Sequence, residues 1–199
     1  MRRGLLALTM LLPAVLCACG GGNEDNGLVL ELREDFRNME AWSGRMDLTA
    51  DYGLRVYEYT VSFTGSRDEG TVLTIEAPEE VAGITAAARE GQTWLDYDGV
   101  RLETGPLDES GLTPMDALPA LLDDLARGTV AETGTETDGE RELLRLTVRD
   151  PDLTAESGRE TVFWFDKARK TLLRAELRSD GVTVVRCTFS AFAYTIPQR

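Results

Sequence analysis

Thr161–Phe192 reads TVFWFDKARKTLLRAELRSDGVTVVRCTFSAF, and its punctuation decides the fold. Thr161–Phe165 is made of β-branched and aromatic residues, which suit a strand. Asp166-Lys167-Ala168-Arg169-Lys170 is a turn, Leu172–Ser179 a second run, Asp180-Gly181 a second turn, and Val182–Phe192 a third run. Asp-Gly between strand-like runs is the strongest short hairpin signal, because both residues tolerate the positive φ of a type I′ turn. Links this short join antiparallel neighbours, since a parallel pair needs a crossover of about a dozen residues. Val185, Cys187 and Phe189 alternate onto one face, so Cys187 reads as a small core residue rather than a nucleophile.

The same pattern extends towards the N-terminus. Asp98-Gly99 lies between Gln92–Tyr97 and Val100–Glu103, and Asp138-Gly139 between Thr129–Glu136 and Glu142–Arg149. Further upstream Met46, Leu48 and Ala50 alternate, Asp51-Tyr52-Gly53 turns, and Tyr57, Tyr59, Val61 and Phe63 alternate again. Leu73, Ile75 and Ala77 form a strand that stops at Pro78. Two stretches break the period of two. Between Leu28 and Trp42 the apolar Leu28, Leu32, Phe36 and Met39 recur at helical spacing, with Glu31, Arg33, Glu34 and Arg37 on the other face. From Pro114 to Arg127 the stripe is Met115, Leu118, Leu121, Leu122 and Leu125, with Thr113 placed to cap it and Gly128 to end it. The class is therefore α+β. A one-faced antiparallel sheet needs a cover, and these two amphipathic helices are the only candidates.

The first residues belong to a different object. Arg2 and Arg3 precede an uncharged apolar run, Leu5–Leu16, that is too short for a bilayer core of ~30 Å and has the layout of a secretion signal. Leu16-Cys17-Ala18-Cys19-Gly20 resembles the bacterial lipobox, in which the cysteine thiol is acylated and becomes the new first residue. Residues 1–18 are thus expected to be a signal peptide, 19–27 a lipidated Gly-rich polar tether, and 28–199 a single domain. Lipid on Cys19 would hold the chain extracytoplasmically on the cell membrane, or on an outer membrane if the cell has one.

Charge and chemistry remove several function classes. The signal carries two of the 21 basic residues and none of the 35 acidic ones, so the mature chain is more acidic than the net −14 of the whole. That sign disfavours nucleic acid as a partner. There is no histidine, which removes the commonest general base and metal ligand. Asp96 and Asp98 read as turn neighbours, not a catalytic pair. No catalytic residue, metal or cofactor is expected, and the protein is not expected to be an enzyme.

At this point the layout resembles a known family. Ala77-Pro78-Glu79-Glu80-Val81-Ala82-Gly83, the hairpin strand Gln92-Thr93-Trp94-Leu95-Asp96-Tyr97-Asp98-Gly99, Phe163-Trp164-Phe165-Asp166 and Leu172-Leu173-Arg174-Ala175-Glu176 are similar to pieces of the outer-membrane lipoprotein carrier superfamily, the LolA, LolB and LppX-type proteins. The resemblance implies a curved sheet, or incomplete barrel, whose concave apolar face is covered by two helices and can hold acyl chains. It also implies a second role, because a lipid-anchored relative, the germination lipoprotein GerS, supports a cortex-lytic amidase. Expected partners are therefore a membrane through the N-terminal lipid, acyl chains or another lipoprotein, or an envelope protein such as a cell-wall enzyme.

One feature points to a site. Phe163 and Phe165 face one way and Val162 and Trp164 the other, so this strand is apolar on both sides. Together with Trp94, Tyr97, Leu118 and Leu122 these aromatics are the candidate hydrophobic groove or interface; the alternative is packing on both faces with no cavity.

Overall fold

Among the residues that this computed structural model describes, 22–106 and 110–197, there are two α-helices and eleven strands. Helix α1 (Gly22–Asn38) leads into β1 (Ala41–Asp51), β2 (Val56–Ser66), β3 (Gly70–Ala77), β4 (Thr85–Arg89), β5 (Gln92–Tyr97) and β6 (Val100–Pro106). Helix α2 (Ala117–Arg127) follows, and then β7 (Val130–Asp138), β8 (Arg141–Arg149), β9 (Arg159–Asp166), β10 (Thr171–Ser179) and β11 (Val182–Thr195). All strand pairs are antiparallel, in the order β6-β5-β4-β3-β2-β1-β11-β10-β9-β8-β7. The first and last strands therefore pair in the middle, from Ala41↔Thr195 to Ala50↔Val185, and the sheet stays open.

Turn chemistry accounts for the registers. In the loops Asp98-Gly99 and Asp180-Gly181 both residues have positive φ, as a type I′ turn requires. The third hairpin differs by one residue. Asp138 pairs with Arg141, so the loop is Gly139-Glu140, and only Gly139 has a positive φ, the pattern of a type II′ turn.

Both helices depart from their expected limits. Helix α1 begins at Gly22 and ends at Asn38, so Gly22–Gly27, read as tether, is helical, and β1 already starts at Ala41. The reason is tertiary. Asp25 accepts a bond from Thr135 at 2.9 Å and pairs with Lys167 at 2.6 Å, and Glu31 pairs with Lys170. Helix α2 begins at Ala117, because Thr113–Asp116 forms a separate hydrogen-bonded turn before it. The signal, the lipobox and Cys19 lie outside the described residues.

One core unites helices and sheet. Met46, Leu48, Phe63, Leu146, Phe163, Phe165, Ala175, Cys187 and Phe189 are buried on one sheet face with Leu32 and Phe36 of α1 and Leu118, Leu121 and Leu125 of α2. Asp124 of α2 fastens the helix to β9, accepting two bonds from Arg159 (3.0 and 2.6 Å) and one from Thr161 (2.5 Å).

The opposite face is covered by side chains rather than by a helix. Trp164 is buried there with Val162 and Leu143; the Arg174 guanidinium lies 3.9 Å from the ring centroid, and the Trp164 Nε1 donates to Glu136 at 2.8 Å. Nearby Glu176 is buried and accepts bonds from Arg178, Arg186 and Thr183. Burial alone would raise its pKa, but these donors outweigh burial and hold it below the ordinary carboxylate value. A depressed folded pKa gives stability that is present above the unfolded pKa and lost as pH falls through the folded one. Glu176→Gln should therefore cost about 2 kcal/mol at neutral pH. In denaturant melts its deficit should shrink as pH drops below the ordinary glutamate range. A deficit that stays constant down to acid pH would show that the charge is not what matters.

Candidate functional site

The main contacts of the helices are with each other and with β7 and β10. The inner face of β2–β6 is left less covered, and a half-open cavity of about 520 Å³ lies there. Its floor is Tyr59 and Val61 of β2, Leu73 and Ile75 of β3, Ala86 of β4 and Leu95 of β5; register puts Val61 beside Ile75, Leu73 beside Ala86, and Ala86 beside Leu95. Cross-strand partners share a face, so alternation alone makes this wall apolar. Val81 and Ile84 close one end, and the turn Thr113–Asp116 supplies Pro114 and Met115 as the opposite wall.

Four of the polar side chains on the lining are engaged with one another. Thr93 Oγ1 and Thr104 Oγ1 are 2.7 Å apart, and Thr93 Oγ1 also bonds the Gly105 carbonyl at 3.0 Å. Thr113 Oγ1 donates to Asp116 Oδ2 at 2.5 Å. With these groups already engaged, the cavity offers mainly hydrocarbon to a ligand. Each buried methylene contributes about 0.8 kcal/mol.

Apolar surface continues outward on both sides. Leu102 pairs with Leu95 and Val100 with Tyr97, and these three edge residues are 60%, 70% and 54% exposed in the order Leu102, Val100, Tyr97. On the other side the Tyr59, Tyr57 and Tyr52 rings follow at 6.5 and 6.0 Å towards the β1–β2 turn, where Leu54 is fully exposed. The Tyr52 hydroxyl donates to the Leu112 carbonyl at 2.8 Å, tying this hairpin to the segment before α2.

The seven groove residues expected from sequence do not line one surface. Leu118, Phe163 and Phe165 are brought together in the closed core. Trp164 is on the outer face. Trp94 pairs with Ala87 and Glu103, facing away from its neighbour Leu95, and Arg101 lies 5.4 Å from its ring centroid. Tyr97 stands at the exposed edge, and Leu122 lines a second, smaller hollow of about 280 Å³. The cavity residues Tyr59, Ile75, Ile84 and Met115 were missing from that expectation. The alternation of Leu73 and Ile75 was the available signal.

No group of three or more Cys, Asp and Glu side chains among the described residues could hold a metal ion. Cys187 is buried on the core face, and burial pushes its thiol up to about 12. No described helix is long and apolar enough to cross a membrane.

No family model matches the sequence, and no curated protein matches it. Solved structures do. A DUF1329 family protein from Desulfovibrio piger is similar at a TM-score of 0.50 and 13% identity, over 88% of this chain and 94% of that one. The lipoprotein LppX from Mycobacterium tuberculosis is similar at 0.43 and 16%, over 88% and 98%. The likeness at 0.50 shows a fold shared with the DUF1329 family protein. A chain in the structure of the CwlD amidase from Clostridioides difficile with the GerS lipoprotein is similar at 0.43 and 12%, over 85% and 95%. At these identities the likeness is one of fold alone.

Proposed function

We propose that this protein is a non-enzymatic lipoprotein of the cell envelope that holds an acyl chain, of a lipid or of another lipoprotein, between the sheet and the turn before α2. The apolar cavity of about 520 Å³ carries this reading. Helices α1 and α2 would lie over the concave face, with Met115, in the turn that leads into α2, against the ligand. The exposed Tyr97, Val100 and Leu102 would be the ledge by which a chain enters. Native mass spectrometry of the full-length protein extracted from its membrane tests it. A non-covalent lipid that leaves on collisional activation is expected. A protein that never retains lipid, and takes none up when acyl chains of several lengths are added, would contradict the proposal.

A second reading, an anchored scaffold for an envelope protein, is favoured by edge strand β6, whose backbone is unpaired on one side and which carries the exposed Val100 and Leu102 on its face. On that reading a protein, and no lipid, should be retained in the same spectra.

Acylation at Cys19 would suit either role. Cys19→Ala is expected to prevent acylation and to release the chain from the membrane fraction or leave it unprocessed. Normal processing with unchanged membrane retention would count against the anchor.

A further inference from the structure

The smaller hollow is chemically unlike the cavity. Its floor is apolar, from Phe36, Met39, Trp42 and Leu122, but three arginines stand round it, Arg37, Arg67 and Arg127. Asp123, 3.0 Å from Arg127, is the one acidic side chain on its lining. Arg37 donates to the Ala126 carbonyl at 3.2 Å, and Arg67 donates to the Arg37 and Met39 carbonyls at 2.7 and 3.1 Å. These bonds satisfy backbone acceptors, including the C-terminal end of α2, but they neutralise no charge. Each guanidinium has five N–H donors, so most remain available to an anion. Arg33, one turn earlier on α1, donates to the Leu125 and Gly128 carbonyls at 3.1 and 2.5 Å, at the same end of α2. In a chain of net −14 this is a local concentration of positive charge over hydrocarbon.

The hollow and the cavity lie on one seam. On α2 and its leading turn, Met115 faces the cavity, while Pro119, Leu122 and Ala126 face the hollow. Spacings of three and four put Pro119, Leu122 and Ala126 on one stripe of α2, and Met115 lies in the turn that leads into it. On β3, Thr71 lines the hollow and Leu73 and Ile75 the cavity, and alternate residues share one sheet face. From Asp116 to Arg127 the seam runs about 16 Å at 1.5 Å per residue.

We infer that the two are the ends of one site, for a single-chain amphiphile with a carboxylate head: the head is held by Arg37, Arg67 and Arg127 and the chain lies along the seam into the cavity. This rests on the acyl-chain reading and names its ligand class. The test offers the full-length protein an equimolar mixture of palmitate and its methyl ester, and counts the complexes by native mass spectrometry. The native protein is expected to favour palmitate by about tenfold or more. Arg37→Gln/Arg127→Gln should bind the two alike while still binding the ester as the native protein does, and Arg37→Lys/Arg127→Lys should restore the preference. Equal binding of both ligands by the native protein, or a preference that survives the glutamine changes, would overturn this inference and leave the acyl reading standing. Failure to bind either ligand would overturn both.

Discussion

Leu95→Asp is expected to weaken fatty-acid binding by a hundredfold or more while leaving the fold intact. Leu95 sits on the cavity floor beside Ala86 and Leu102 but is only half-buried, so the free protein can hydrate a carboxylate there. A bound chain would strip that water away and leave the charge without a partner, and burying an unpaired carboxylate costs several kcal/mol. A hundredfold corresponds to about 2.7 kcal/mol, well within that range. The control is one residue away. Trp94 faces the other side of the sheet under Arg101, so Trp94→Ala should leave binding unchanged. Fluorescent fatty-acid titrations of both variants, with folding checked by circular dichroism, give the comparison. Equal loss in the two variants would point to general destabilisation, and no loss in Leu95→Asp would place the chain elsewhere.

The largest effect on stability is expected from Gly44→Ala. Gly44 lies in β1 between Phe63 on β2 and Phe192 on β11, where the terminal strands pair. A Cβ at that position would fall inside the contact distance of the Ala191 carbonyl oxygen and the Phe63 ring. The oxygen is backbone and held by the β1–β11 ladder, so the strain cannot be relieved by turning a side chain. Overpacking of this kind costs about 3 kcal/mol. In a domain of this size that lowers the melting temperature by roughly 6–12 °C. Gly134 offers the contrast. It lies in β7 with open space where a Cβ would stand, so Gly134→Ala should be neutral or slightly stabilising. Equal melting temperatures for Gly44→Ala and the native protein would show that the centre of the sheet is less tightly joined than described.

The fold was legible where local chemistry determines it. Asp98-Gly99 and Asp180-Gly181 fix their hairpins because a two-residue loop with two positive φ values allows one register. Cys187 was legible for the same kind of reason, since alternation with Val185 and Phe189 fixes its face. What failed depends on distant contacts. Gly22–Gly27 has the composition of a tether, and its helix is held by Thr135 and Lys167, which lie over a hundred residues away. Strand β4 is short and alanine-rich, and it exists because β3 and β5 flank it.

The site was less legible than the fold. Phe163-Trp164-Phe165 drew attention by being apolar on both faces, yet its inner residues are core and its outer one is roofed by Arg174 and Glu136. The cavity arises instead from ordinary strand residues such as Ile75 and Leu95, whose facing helix contacts lie over the other half of the sheet. Composition registers which residues are apolar. It does not register which of them lack a covering neighbour.

The central claim is that an acyl chain occupies the cavity walled by β2–β5 and the Thr113–Asp116 turn. Photo-crosslinking tests it most directly. A fatty acid bearing a diazirine near its methyl end is bound to the full-length protein and irradiated, and the labelled residues are identified by peptide mass spectrometry. Labelling concentrated on Ile75, Ile84, Leu95 and Met115, and suppressed by excess unlabelled palmitate, is the predicted result. Labelling confined to the outer face around Trp94 and Trp164, or spread over the surface and insensitive to competitor, would contradict the account.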